Sequence, residues 1–378
     1  MWPSNPVRTF LVSAISLLCF QTSGVLAQTP APAQTPAPAQ PVATASQDAG
    51  ASAVAKPAAV DITPLTAKPE FAEDWTKLRL GDVPPELLPG DDLTLDRTDF
   101  PGFTRQLVEG LWRQGDPIDL YITKPRGIEK PPVILYLHSW ASKADHRFQD
   151  LEFCKFLTKN GFAAVGFVSD LTGQRYHDVP QKQWFVSELP RTLVSTTHDV
   201  QFILDYLEKR GDMDMTRVGM FGDGSGAAIA ILAAAVDPRI KALDLLNPWG
   251  DWPDWYAQST LVPETERPDY LKPEFLKSLE SFDPVQWLPE LKTRQVRLQY
   301  VMKGVTVTPE AAKKRMEAAA PRNVKIVNYE TVHEYLQNVA LKGTGFDWIK
   351  EQLGADIQPH AETNTASRPT TAPKTAER

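Results

Sequence analysis

The chain has 378 residues, 42% of them hydrophobic, and carries 47 Asp and Glu against 40 Lys and Arg, for a formal charge of −7. That length suffices for a large buried core, and an acidic balance without a basic stripe argues against nucleic acid as a partner. With 2 cysteines and 6 histidines, and neither a cysteine pair nor His-Glu-x-x-His spacing, the composition calls for neither a zinc site nor any other metal, and no cofactor motif is present.

In chain order, Arg8 precedes an apolar core from Phe10 to Phe20 and the small-residue site Val25-Leu26-Ala27, the sequence of features in a secretory leader. The apolar run is too short for a comfortable membrane span. Leu18, before Cys19, is too bulky for the usual lipoprotein cleavage pattern. Residues 1–27 are therefore expected to be removed, leaving a periplasmic or secreted chain without stable membrane insertion. Residues 28–60 are Ala, Pro, Gln, Thr and Ser, which bury too little surface to offset ordering entropy, and read as a linker. Residues 356–378 repeat that composition and read as a tail. The domain is expected over 61–355. After cleavage Cys154 is the only cysteine, and its setting in Leu151-Glu-Phe-Cys-Lys-Phe-Leu157 is the apolar face of a helix.

Within the domain, 105–112 and 118–123 alternate as two strands about the turn Gln114-Gly-Asp-Pro117. Val133 to His138 is a continuous apolar strand of the doubly buried kind. A helix over 147–159 stops at Asn160-Gly161 and leads to a strand at 162–168. Then follow a helix at 193–209, a strand at 218–221, an Ala-rich helix ending before Asp237-Pro238, and strands at 242–246, 296–302 and 324–329. A helix at 309–320 and a closing helix at 335–351 complete the pattern. Alternation of this kind implies α/β architecture, a mainly parallel eight-stranded sheet with helices on both faces.

The most informative segment is Arg217-Val-Gly-Met-Phe-Gly-Asp-Gly-Ser-Gly-Ala-Ala-Ile-Ala230. It has the outline of a Gly-x-Ser-x-Gly nucleophile elbow, in which a strand ends in a sharp turn and a helix begins. Gly222 and Gly226 are the flanking glycines, so Gly224 stands at the nucleophile position and Ser225 is one place late. With His138-Ser-Trp140 after the third strand and Val332-His-Glu334 after the eighth, the ordered series over about 100–353 resembles the α/β-hydrolase family, in its dienelactone-hydrolase and acyl-peptidase-like esterase branch.

That resemblance implies an oxyanion-hole loop just after His138, a nucleophile at 224, an acid after the seventh strand and a general base at His333. The chemistry needs all four, because a hydroxyl attacks only when a base takes its proton, an acid orients the base and N–H groups hold the oxyanion. Of these only the His is plainly kept. Met302 to Glu310 has no Asp before Pro309, and Asp251, after the sixth strand, is the substitute acid or else a turn-capping residue. Ser225 is a shifted nucleophile, or a capping or pocket residue in the first helical turn. Asp223, also off register, is a further candidate as a carboxylate nucleophile, as in dehalogenase-like relatives. His138 is expected to support its loop.

The insertion at 247–291 is rich in aromatics and is expected to form a short lid. Most of its rings should pack together, with Trp249 and Trp252 best placed to join His138, Ser139, Trp140 and Asp223 around a ligand. Two functions follow. One is a hydrolase-fold protein that has lost serine catalysis and binds a small-molecule, ester-like or peptide-like ligand. The other is an active esterase or peptidase-like hydrolase using Ser225, His333 and Asp251.

Overall fold

A computed structural model describes residues 73–83, 94–110, 112–113, 116–139, 150–168, 189–304, 307–342 and 345–354. The expected leader, linker and tail, and Trp140, lie outside the described residues. Among those described, no helix is long and apolar enough to cross a membrane.

Among the described residues, nine strands form one sheet: β1 (Thr94–Asp99), β2 (Phe103–Gly110), β3 (Ile118–Pro125), β4 (Pro132–Leu137), β5 (Ala163–Phe167), β6 (Asp214–Asp223), β7 (Ile240–Leu246), β8 (Gln295–Val301) and β9 (Lys325–Tyr329). Their spatial order is β1-β2-β3-β5-β4-β6-β7-β8-β9. The pairs from β1 through β3 to β5 are antiparallel, and every pair from β5–β4 to β8–β9 is parallel. The sheet thus has one strand more than the eight expected. The additional strand, β1, is Thr-Leu-Asp-Arg-Thr-Asp, exposed along most of its length and held by its antiparallel ladder to β2. Backbone pairing at an edge leaves no apolar alternation to read.

The helices are α1 (Leu151–Thr158), α2 (Leu189–Arg210), α3 (Ser225–Val236), α4 (Trp252–Gln258), α5 (Arg267–Tyr270), α6 (Pro273–Leu279), α7 (Pro284–Trp287), α8 (Glu310–Ala319), α9 (Val332–Leu336) and α10 (Asp347–Gln352). The closing helix expected at 335–351 is divided into α9, a π-helical turn at Gln337–Leu341, and α10. Gly343 and Gly345 fall between them, and glycine inside a helix costs about 1 kcal/mol relative to alanine.

Two apolar cores flank the sheet. One joins α2, α3 and the insertion to side chains such as Met220, Leu243 and Leu245, and the other joins α1, α9 and α10 to Ile134, Tyr136 and Phe221. Met220 and Phe221 enter different cores because consecutive strand residues point to opposite faces. Helix α3, Ser-Gly-Ala-Ala-Ile-Ala-Ile-Leu-Ala-Ala-Ala-Val, is buried on nearly all sides. A helix apolar all round belongs in the interior, and its small residues let β6, β7, α2 and α7 approach it.

The insertion forms α4 to α7 with two short 3-10 turns, and its rings pack on one another. Trp249 and Trp255 lie 4.4 Å apart, Trp255 and Tyr256 5.1 Å, and Tyr256 and Tyr270 5.4 Å between centroids. It joins the core that covers α3.

Candidate functional site

Strand β6 runs directly into α3 through Gly224, whose φ of 57° and ψ of −115° lie outside the regions open to L-residues. Its neighbours explain why glycines recur. A Cβ on Gly222 would stand 2.5 Å from the Gly226 carbonyl oxygen and 2.6 Å from the Ala227 backbone nitrogen. One on Gly226 would press on the Leu137 carbonyl at the end of β4. Strand, turn and helix are therefore packed backbone to backbone, as an elbow requires.

The corner is also tied to the next strands. The Gly224 N–H donates to the Leu246 carbonyl at 2.9 Å, and the Gly224 carbonyl accepts from Trp249 N–H at 3.3 Å. Asn247, in the left-handed region at φ 43°, donates from its N–H to the Gln299 carbonyl and accepts from Val301 N–H on Oδ1, both at 2.8 Å. These bonds set the ends of β6, β7 and β8 level at the carboxyl edge of the parallel sheet, where open α/β sheets place ligands.

Gly224 is the point from which a nucleophile would project. The position of its absent Cβ lies 2.7 Å from Ser139 Oγ and 3.1 Å from both Ser139 Cβ and Trp249 Nε1. A serine hydroxyl from the end of β4 and an indole nitrogen from the end of β7 thus flank the place a catalytic side chain would leave. Ser139 and Trp249 are nearly buried, as are His138, whose ring tilts against Tyr136 at 4.7 Å, and Asp223.

The three residues expected to carry catalysis occupy different settings. Ser225 is the first residue of α3 and fully buried, while the N-cap is Gly224, which has no side chain to cap with. His333 is exposed in the first turn of α9, with Nε2 2.8 Å from Gln337 Nε2. Its turn is held by Thr331, whose Oγ1 accepts from Glu334 N–H at 3.2 Å, while Glu334 Oε2 accepts from Glu330 N–H at 2.7 Å.

Asp251 is buried at φ 57° before α4, and its side chain makes no cap bond. Asp283 performs that task, accepting from Asp251 N–H at 2.8 Å, Trp252 N–H at 3.0 Å and Val285 N–H at 3.0 Å. The Asp251 carboxylate lies 3.4 Å from Arg315 Nε. Burial, aided by Asp254 and Asp283 and opposed by Arg315, pushes its pKa up to about 6. Trp252 is fully buried, its indole N–H donating to the Phe282 carbonyl at 3.3 Å.

Among the described residues, no group of three or more His, Cys, Asp or Glu could hold a metal ion. The pairing of Ser139 with the Gly224 corner has no signature in the sequence, because 85 positions separate them and only the parallel β4–β6 ladder, Leu137 opposite Gly222, brings them together.

Comparison with known proteins bears on the fold. No family model matches the chain, and no curated protein matches it significantly. An acetyl xylan esterase from a Thermoanaerobacterium species superposes with a TM-score of 0.53 at 15% identity, covering 68% of this chain and 85% of that one. The protein has the α/β-hydrolase fold. An acylaminoacyl peptidase from Pyrococcus horikoshii matches with a TM-score of 0.49 at 14% identity, covering 66% of this chain and 44% of that one. Strand β6, Gly224 and α3 form a strand–turn–helix corner of the kind that this fold contains.

Proposed function

We propose that this is an exported α/β-hydrolase-fold protein that no longer performs serine hydrolysis and uses the cleft beside Gly224 to hold a small acyl compound. The observation that carries the reading is the backbone of Gly224. Its φ of 57° and ψ of −115° support reading 224, a position without a side chain, and not 225 as the projecting corner. Ser225, one residue into the helix and buried, fits a pocket or capping residue better than a nucleophile. The ligand class is in keeping with the esterase whose fold the chain shares.

One experiment reads both parts of the proposal. Native protein is treated with a fluorophosphonate and its intact mass and labelled peptides are determined. The expected result is a chain beginning at Gln28 with no phosphonate added. Stoichiometric labelling of Ser225 that disappears in His333→Ala would instead restore an active hydrolase built on Ser225, His333 and Asp251. A chain retaining Met1 would end the export reading.

A further inference from the structure

The segment 73–83 packs on α2, with Leu78 buried in the core and Trp75, Leu80 and Val83 set against it. Where the two meet, His198 is enclosed, 1% exposed. Its Nδ1 stands 2.7 Å from Glu73 Oε2 and its Nε2 2.8 Å from the Lys77 carbonyl oxygen. Both partners accept. A neutral imidazole has one N–H and one lone pair, so it satisfies one acceptor and sets its lone pair against the other. An imidazolium satisfies both.

Glu73 does not supply the missing proton. Its oxygens accept from Arg113 Nε and, at 2.9 Å, from Arg113 Nη2. Burial raises its pKa, but hydrogen bonds from His198 and Arg113 outweigh burial and the net direction is down. The charges around favour a cation at 198. Asp199, next to it on α2, and Asp116, before β3, both face Arg113, so with Glu73 three carboxylates gather about one guanidinium. Arg113 and Arg191 oppose a further positive charge, lying 5.4 and 5.3 Å from the Trp75 ring. That ring stacks on His198 at 5.7 Å, a contact that attracts an imidazolium. The Lys77 ammonium is exposed and paired with Asp74 at 2.8 Å.

We propose that His198 is a pH-sensitive latch, which as an imidazolium clasps the segment 73–83 at both Glu73 and Lys77 and, on losing its Nε2 proton in mildly alkaline solution, releases Lys77. The latch lies outside the cleft beside Gly224, and neither reading depends on the other. The Nε2 proton is the one to leave, since Nδ1–H stays bonded to a carboxylate, the stronger acceptor. A proton held more tightly in the fastened state makes the fastening weaken as pH rises.

The test follows the full-length protein by NMR at about pH 6 and about pH 9, either side of the range in which an ordinary imidazole titrates. The ring nitrogens of His198 are assigned by their loss in His198→Gln. The reporter of fastening is the Leu80 amide, which donates to Gln201 Oε1 at 3.0 Å. At about pH 6 both ring nitrogens should carry protons, and at about pH 9 Nε2 alone should lack one. Leu80 protection against hydrogen exchange, corrected for the intrinsic pH dependence, should fall about tenfold between the two, the effect of losing a charge-assisted hydrogen bond. In Glu73→Gln the new amide can donate to Nδ1, so a neutral imidazole keeps its Nε2–H on Lys77 and Leu80 protection should be flat across the range. The proposal is overturned if either ring nitrogen of the wild type lacks a proton at about pH 6, or if both keep theirs at about pH 9. It also falls if Leu80 protection is the same at both values, or if Glu73→Gln shows the wild-type fall, which would assign the pH dependence to another group. Should that variant not fold, the wild-type ring nitrogens and the Leu80 amide decide alone.

Discussion

A backbone at φ 57° and ψ −115° costs an L-residue on the order of 1–3 kcal/mol, a strain that a working elbow bears to project its nucleophile. Glycine at 224 relieves it. Ser139 and Trp249 stand close to where a side chain at 224 would project. Gly224→Ser should therefore lower unfolding free energy by about 1–3 kcal/mol in urea denaturation, with a further loss from the approach to Ser139. Gly224→Ser with Ser139→Gly should recover part of that loss and give slow hydrolysis of an activated aryl ester. The rate should stay small, since a misplaced acid costs about 10⁴-fold in kcat in a serine protease, and Asp251 with its raised pKa is bracketed by Asp254, Asp283 and Arg315. A folded double variant no faster than wild type would mean that the cleft has diverged beyond its nucleophile.

Among the elements, the segment 73–83 is fastened to α2 by a buried polar cluster. Arg113 bonds Glu73 through Nε and Nη2, Asp199 through Nη1, and the Ser195 carbonyl at 3.0 Å. His198 places Nδ1 2.7 Å from Glu73 and Nε2 2.8 Å from the Lys77 carbonyl, and Gln201 bonds both Leu78 and Leu80. Burial pushes the Glu73 pKa up, but hydrogen bonds from His198 and Arg113 outweigh it, and the net direction is down. The stabilisation from a depressed carboxylate is present above its ordinary value and lost as pH falls through the folded one. Glu73→Gln should thus destabilise most near neutrality, with the gap to wild type narrowing below the ordinary value of 4.5. Arg113→Ala removes the cation shared by two buried carboxylates and should cost about 3–5 kcal/mol, with faster amide exchange in 73–83. Unchanged exchange there would show that the strap is held by its apolar contacts alone.

For the molecule as a whole, the parallel half of the sheet is cross-linked by a buried ion pair. Arg297 on β8 reaches Asp244 on β7 through Nε at 2.8 Å and Nη2 at 2.5 Å. Its guanidinium also donates to the Gly345 carbonyl at 3.1 Å and lies over the Trp348 ring. Gln299 bonds Asp244 at 2.7 Å and accepts from the Tyr329 hydroxyl at 2.8 Å, which extends the network to β9. Removing one ion of such a pair costs far more than replacing both with apolar groups. Arg297→Leu should lose about 3–5 kcal/mol, and Arg297→Leu with Asp244→Leu should recover most of it. Equal losses in the single and double variants would mean that the contacts to Gly345 and Trp348 carry the stabilisation.

Local signals determined much of this protein from the sequence alone. The strand and helix periodicities from 103 to 329 stand close to where their residues form elements, because burial on one face imposes a period that composition records. The strand–turn–helix corner was legible from Gly222 and Gly226, since only glycine permits that backbone approach. Strand β1 was not, being polar and held by backbone pairing. Nor was the division of the last helix, which propensity over a short window does not resolve. Sequence left Ser225 open between nucleophile and pocket residue, and left Asp251 open between acid and turn residue. Their surroundings come from the tertiary structure: burial of α3 on every side encloses Ser225, and Asp283, 32 positions on, accepts the Asp251 and Trp252 N–H groups at the start of α4. The meeting of Ser139 with Trp249 at Gly224 is likewise a product of sheet order alone, because β4 lies beside β6 and β6 beside β7 only once the sheet has formed.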